Sequence, residues 1–187
     1  MDYKIIFVHG YTASPQTDWY PKISKELKKR KIDFAVPFLP GGLHPKSEVW
    51  IEKIYQEVLK TKKPIILVGH SLGSRAVLLY LNKHPRKVMR VLLISAFSND
   101  TRNAQRHDGT AYPDFFEYKI DLEKIKPLVG KFIVMHSKDD SDIDYKQGAE
   151  IAENLGAELI TYEGRGHFSE PGNYKYVLEV LLKELKN

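Results

Sequence analysis

The stretch from Pro64 to Leu81, PIILVGHSLGSRAVLLYL, constrains the chain more than any other. Pro64 to Val68 is a continuous apolar run rich in β-branched residues, the composition of a strand buried on both faces. Gly69-His70-Ser71-Leu72-Gly73 follows and fits the pattern G-x-S-x-G. From Ser74 to Leu81 no helix breaker occurs, so the segment reads as a helix. Strand, sharp turn and helix form the context in which this pattern carries chemical meaning. Such a turn holds its serine in a strained conformation at the end of a sheet. A helix N-terminus behind it favours developing negative charge. Gly69 and Gly73 have no side chains to keep strand and helix apart.

The rest of the chain repeats this alternation. Strands are expected at Lys4 to Val8, Asp33 to Leu39, Val88 to Ser95, Lys131 to His136 and Glu158 to Tyr162. The proline in the second of these suggests a sheet edge. Between them run segments of helical periodicity. Trp19, Ile23 and Leu27 mark one, with Asp18 as its expected N-cap. Pro45 to Leu59, a short piece at Leu122 to Leu128, Tyr145 to Leu155 with Gly156 just past its end, and Tyr174 to Leu185 mark the others. Ala96 to Pro127 is the least regular stretch. Alternating strands and helices imply right-handed crossovers and an α/β fold, a parallel sheet of about six strands with helices on both faces.

Composition narrows the function classes. A chain of 187 residues is expected to form a single domain, 1–187. Hydrophobic content of 42% with 28% charged residues fits a soluble globular protein, and no apolar run approaches the ~20 residues of a membrane span. Met1 to Lys4 leads straight into an apolar strand, without the basic and apolar regions of a signal peptide. With no cysteine in the chain, disulfides and thiolate chemistry are excluded, and a cytoplasmic location is expected. The net charge of +5 comes from scattered lysines; the densest run, Lys25 to Lys31, closes an amphipathic helix, so no nucleic-acid partner is expected. Neither G-x-G-x-x-G nor G-x-x-x-x-G-K-[ST] occurs, and the histidines lack metal-ligand spacing, so no cofactor and no metal are expected.

In a parallel α/β sheet, ligands bind outside the carboxyl ends of the strands. Four such ends carry reactive residues: His9-Gly10-Tyr11, Ser71, Asp139/Asp140 and His167. A serine hydroxyl needs a base to become a nucleophile. His167 is the candidate, and an aspartate would hold its imidazole in one tautomer. The backbone N–H groups of Leu72 and Tyr11 are placed to receive an oxyanion. His9 is expected to organise the loop carrying Tyr11, and His70 to serve as a packing residue.

With VHGYTASPQTDWYP, LVGHSLGS, HSKDDSDID and GRGHF in this order and spacing, the chain resembles the α/β-hydrolase superfamily. Within it, the likeness is to the small serine hydrolases of the retinoblastoma-binding protein 9 and YdeN type. The resemblance implies a three-layer sandwich without a large cap domain. It also implies a catalytic set of Ser71, Asp140 and His167. Asp140 is preferred to Asp139 because Ile143, three residues on, can anchor the loop. The retinoblastoma-binding motif L-x-C-x-E is not expected to transfer, since the chain has no cysteine.

The expected activity is hydrolysis of a small carboxylic ester, with thioester and amide as lesser alternatives. Two rival readings are a non-catalytic interaction module on the same fold and a peptidase. Phe97 and Phe168 follow strand ends and, with Trp19, are the expected substrate-pocket aromatics. Oligomeric state leaves no mark on the sequence.

Overall fold

The computed structural model describes residues 3–97 and 112–185. Its strands are β1 (Lys4–Val8), β2 (Asp33–Ala35), β3 (Ile65–His70), β4 (Arg90–Ile94), β5 (Phe132–Ser137) and β6 (Glu158–Tyr162). They form one sheet in the order β2-β1-β3-β4-β5-β6, with every neighbouring pair parallel. The helices are α1 (Tyr20–Lys29), α2 (Ser47–Leu59), α3 (Leu72–Lys83), the short α4 (Asp114–Glu117) and α5 (Leu122–Ile125), then α6 (Tyr145–Leu155) and α7 (Tyr174–Glu184). No described helix is long and apolar enough to cross a membrane.

The alternation of side chains along a strand explains the two-sided core. Ile5 and Phe7 of β1, Ile66 and Val68 of β3, Leu92 and Ile94 of β4, and Ile133 and Met135 of β5 share one face. Trp19, Tyr20, Ile23 and Leu27, together with Val177 and Leu181 of α7, cover it. Ile6, Val8, Leu67, Leu93 and Val134 point the other way, against Trp50, Ile54, Ala76, Val77 and Leu155. Strands β1, β3 and β5 are buried along their whole length, whereas the edge strands β2 and β6 are partly exposed. Central strands therefore read as unbroken apolar runs, and edge strands are more mixed.

Beyond end shifts of one or two residues, as at β3 and β4, three expectations at element ends are not met. β2 stops at Ala35 rather than Leu39. Pro37 has no N–H to continue a ladder, and Leu39 donates its own N–H to His9 Nε2 at 3.0 Å instead of to a strand. Asp18 is not the cap of α1: the helix begins at Tyr20 with Trp19 at the cap position and no side-chain cap bond. Its backbone is left-handed, φ 52°, which turns the chain at the end of the β1 loop. The segment from Leu122 to Leu128 is α-helical only to Ile125 and then tightens into a 3₁₀ turn containing Pro127. Of the irregular stretch Ala96 to Pro127, residues 98–111 lie outside the described residues.

Electrostatics fasten the last helix. Glu184 is 3% exposed and accepts from Arg90 at 3.0 Å and Lys131 at 2.8 Å. Burial alone would raise its carboxyl, but the two cations hold it below the ordinary range. Cations of β4 and of the residue before β5 thereby fix the α7 end that follows the β6–α7 loop.

Candidate active site

The β3–α3 turn is shaped by close backbone approach. A Cβ on Gly73 would lie 2.1 Å from the Val8 carbonyl oxygen, and one on Gly69 would lie 2.5 Å from Ser74 Cα. Both distances are far inside van der Waals contact, so glycine is the residue these positions accept. Between them Ser71 has φ 53° and ψ −123°, a conformation that side-chain-bearing residues rarely hold. Its N–H donates to the Ile94 carbonyl at 2.9 Å. The Ser74 hydroxyl donates to Gly69 and Ile94 carbonyls at 2.9 and 3.2 Å. These bonds clamp the strained residue from both sides. Leu72 is the first residue of α3, where N–H groups have no intrahelical acceptor.

The loop after β1 is pinned by His9, which is 1% exposed. Because His9 Nε2 accepts from Leu39 N–H, its proton sits on Nδ1, which donates to the Gly10 carbonyl at 2.9 Å. One buried ring thus joins the loops after β1 and β2, with Tyr11 immediately following. The Tyr11 hydroxyl donates to the Leu43 carbonyl at 3.0 Å.

Two more loops, after β5 and β6, bring Asp140 and His167 together. Both carboxylate oxygens of Asp140 lie 3.0 Å from His167 Nδ1. Asp140 Oδ1 also accepts the N–H groups of Asp142 and Ile143, each at 2.9 Å. Ile143 is 1% exposed and anchors this turn in the core. Burial raises the Asp140 carboxyl, but hydrogen bonds from His136 and His167 and the N–H of Ile143 outweigh it and hold the group well below the usual carboxylate range. The carboxylate is therefore ionised and aimed at one ring nitrogen.

Asp139 points the other way. It accepts the Ser137 hydroxyl, and the N–H groups of Gly164 at 2.8 Å, Arg165 at 3.3 Å and Gly166 at 3.2 Å. The Ser137 bond foremost lowers its carboxyl. Adjacent aspartates thus divide the work: Asp140 meets the imidazole and Asp139 ties down the backbone just before it. His70 completes the support, its Nε2 donating to the His167 carbonyl at 2.7 Å. Burial, followed by the positive charge of a protonated His167 nearby, pushes His70 down to about 3. It is neutral in the folded protein.

Ser71 and His167 line one cleft of about 430 Å³ at the carboxyl end of the sheet, together with Tyr11, Thr17, Asp18 and Asp142. A second hollow of about 680 Å³ shares Asp142, His167 and Ser169 with it. The three aromatics expected in a pocket lie elsewhere. Trp19 and Phe168 are wholly buried and belong to the core beneath α1 and α7. Phe168 has φ 58°, and its ring packs edge-on against Tyr162 with centroids 5.4 Å apart. The left-handed turn sends Phe168 inward while its neighbour His167 lines the cleft. Phe97 is 3% exposed, in the opposite core, stacked on Phe116 at 5.8 Å.

Sequence reasoning missed Asp18 and Asp142 as cleft residues. Asp18 read as a helix cap; only the position of both residues in loops at the carboxyl edge could have flagged them. Burial raises the Asp18 carboxyl, an effect opposed by the nearby His167.

A parallel sheet with helices on both faces, a serine on a strained strand-to-helix turn, and a histidine held by a buried aspartate define the α/β-hydrolase class of fold. Solved structures with this architecture agree. The product of the ydeN gene of B. subtilis superposes with a TM-score of 0.86 at 24% identity over the whole of both chains. Est1E from Butyrivibrio proteoclasticus superposes with 0.77 at 15% identity, covering 99% of this chain and 88% of its own. The family model described as serine hydrolase matches residues 5–182, and the chain belongs to that family. In sequence it is similar to YdeN of Bacillus subtilis (strain 168), 28% identical over 174 residues that cover 91% of this chain and 88% of that one. It is also similar to the serine hydrolase RBBP9 of Rattus norvegicus, 28% identical over 152 residues, 80% and 77% of the two chains.

Proposed function

We propose that this serine hydrolase cleaves a small carboxylic ester through an acyl-enzyme on Ser71. The observation that carries the reading is the ionised Asp140 carboxylate 3.0 Å from His167 Nδ1, with His167 and Ser71 lining one cleft. In the proposed reaction, His167 Nε2 removes the Ser71 hydroxyl proton as Oγ attacks the ester carbonyl. Asp140 keeps the Nδ1–H tautomer and stabilises the imidazolium as it forms. The negative oxygen of the tetrahedral intermediate is received by the Leu72 and Tyr11 N–H groups, the first backed by the α3 dipole. When the carbonyl reforms, the C–O bond to the alcohol breaks and the imidazolium protonates the departing oxygen. Water, deprotonated by His167, then attacks the acyl carbon and releases the acid. No metal or cofactor enters this sequence.

The cleft favours small polar substrates over long acyl chains. Its wall includes Thr17, Asp18, Asp142 and Ser169 beside Tyr11 and Ala13, while Trp19, Phe97 and Phe168 are in the core. p-Nitrophenyl esters of graded length test this: acetate and butyrate are expected to turn over with far higher kcat/KM than palmitate. A fluorophosphonate probe separates the enzyme from a non-catalytic interaction module. Labelling at Ser71 is the expected outcome, and an absence of labelling would sink the catalytic reading.

A further inference from the structure

A second histidine lies against the far side of Asp140. His136, the fifth residue of β5, is wholly buried. Its Nε2 is 3.0 Å from the Ile143 carbonyl oxygen and 3.4 Å from Asp140 Oδ2. Both neighbours are acceptors, so Nε2 must carry the proton. Nδ1 is buried with no hydrogen-bond partner, which suits the unprotonated nitrogen of the same tautomer. The donated hydrogen bond therefore falls on the turn from Asp140 to Ile143. That turn also holds the Ile143 N–H bond back to Asp140 Oδ1.

The surroundings are cut to fit this ring. Gly148 sits inside α6, where glycine is an unfavourable choice. A Cβ there would lie 2.0 Å from His136 Nδ1 and 2.7 Å from its Cγ. Tyr145 closes another side, edge-on with centroids 5.8 Å apart. The helix gives up a side chain so that an imidazole can stand beneath Asp140.

We infer that His136 is a positioning residue for the acid of the catalytic series. Its Nε2–H fixes the Asp140 carboxylate and the turn that carries it, so that the carboxylate stays aimed at His167 Nδ1. The inference rests on the proposed Ser71–His167–Asp140 reading. His136 touches no reacting atom. It acts as the outer partners of metal ligands do, by orienting the group that does the work. The nearness of His136 and the hydrogen bond from His167 also act in the same direction on the Asp140 carboxyl, holding it ionised.

The test compares His136→Phe, which keeps a ring but has no donor, with His136→Gln, whose side-chain amide can restore an N–H at the position of Nε2. With p-nitrophenyl acetate, kcat of His136→Phe is expected to fall about tenfold to a hundredfold, the range seen when an outer partner is lost. KM should be little changed, because the cleft wall is intact. His136→Gln should recover most of the loss. A merely space-filling histidine would give the reverse pattern, with Phe as good as the parent; that result, or Gln no better than Phe, would overturn the inference. Ser71→Ala is measured beside them. If it retains activity, the catalytic reading itself fails; if it is inactive while His136→Phe equals the parent, only the role of His136 fails. Should His136→Phe not fold, nitrogen-15 NMR of the histidine-labelled parent decides. A slowly exchanging proton on His136 Nε2 is expected, and a bare Nε2 would overturn the proposal.

Discussion

The two halves of the candidate site are built by different means. The serine half is local: Gly69, Ser71 and Gly73 lie within five residues, and backbone contacts at fixed distance dictate their identities. The acid–base half is assembled from loops 27 residues apart, Asp140 and His167, joined through side-chain hydrogen bonds and charge. Steric necessity resists changes of pH but not added atoms. A charged latch tolerates small shape changes but not the loss of its ionisation. Each half should therefore break in its own way.

The largest effect is expected at Ser71. Ser71→Ala should lower kcat by roughly the 10⁶-fold known for loss of a serine nucleophile, while the melting temperature stays close to that of the parent. Ester hydrolysis and thermal melts measure both, and substantial residual activity would reject the nucleophile assignment.

The neighbouring aspartates split the second half. Asp140→Asn should cost about 10⁴ in kcat, since the amide favours the wrong imidazole tautomer. Asp139→Asn should cost much less in kcat. It removes charge from a group that accepts the Gly164, Arg165 and Gly166 N–H bonds, so its main effect should be a small loss of stability. Steady-state kinetics beside denaturant melts distinguish the two, and a larger kcat loss for Asp139→Asn would exchange their roles.

Acidification should loosen the acid–base half first. His70 is pushed from 6.5 down to about 3 in the folded protein, so below pH 6.5 the unfolded chain takes up a proton that the folded one refuses. The stability associated with neutral His70 is complete above pH 6.5 and drains away as pH falls towards 3. At 1.36 kcal/mol per unit this bounds the loss at about 4–5 kcal/mol. Asp140, whose carboxyl is lowered on folding, adds a further loss only once pH falls below the ordinary carboxylate range. Unfolding free energy measured against pH should show both stages, and His70→Gln should flatten the first.

The last effect belongs to the steric half. Gly73→Ala places a methyl 2.1 Å from the Val8 carbonyl oxygen, and such overpacking should cost about 3 kcal/mol. The cost should be independent of pH between 5 and 8, in contrast to His70. A pH-dependent loss would show that the turn is coupled to the charged loops.

Periodicity made the sheet and most helices legible because each central strand faces apolar partners on both sides, and each helix buries one stripe. β1 and β6 end where the apolar runs end. β2 is shorter than its apolar run because Phe38 and Leu39 only look like strand residues: Phe38 is 61% exposed and Leu39 turns into the core. Aromatic residues after strand ends were equally ambiguous. Trp19 and Phe168 resemble pocket residues in sequence, and only the left-handed turn at Phe168 decides that its ring enters the core.

The α/β alternation, the strand-to-helix turn with its serine between two glycines, and the histidine and paired aspartates at later strand ends can all be read along the linear chain. These are local properties, carried by patterns of apolar residues and by backbone sterics. Packing reveals which aspartate meets His167, that Asp139 latches the neighbouring loop, and that His136 stands beneath Asp140 in a space left by Gly148. Those relations depend on which side of a loop each carboxylate faces and on contacts between distant segments. Direction and long-range contact are set when the layers pack, and no periodicity records them.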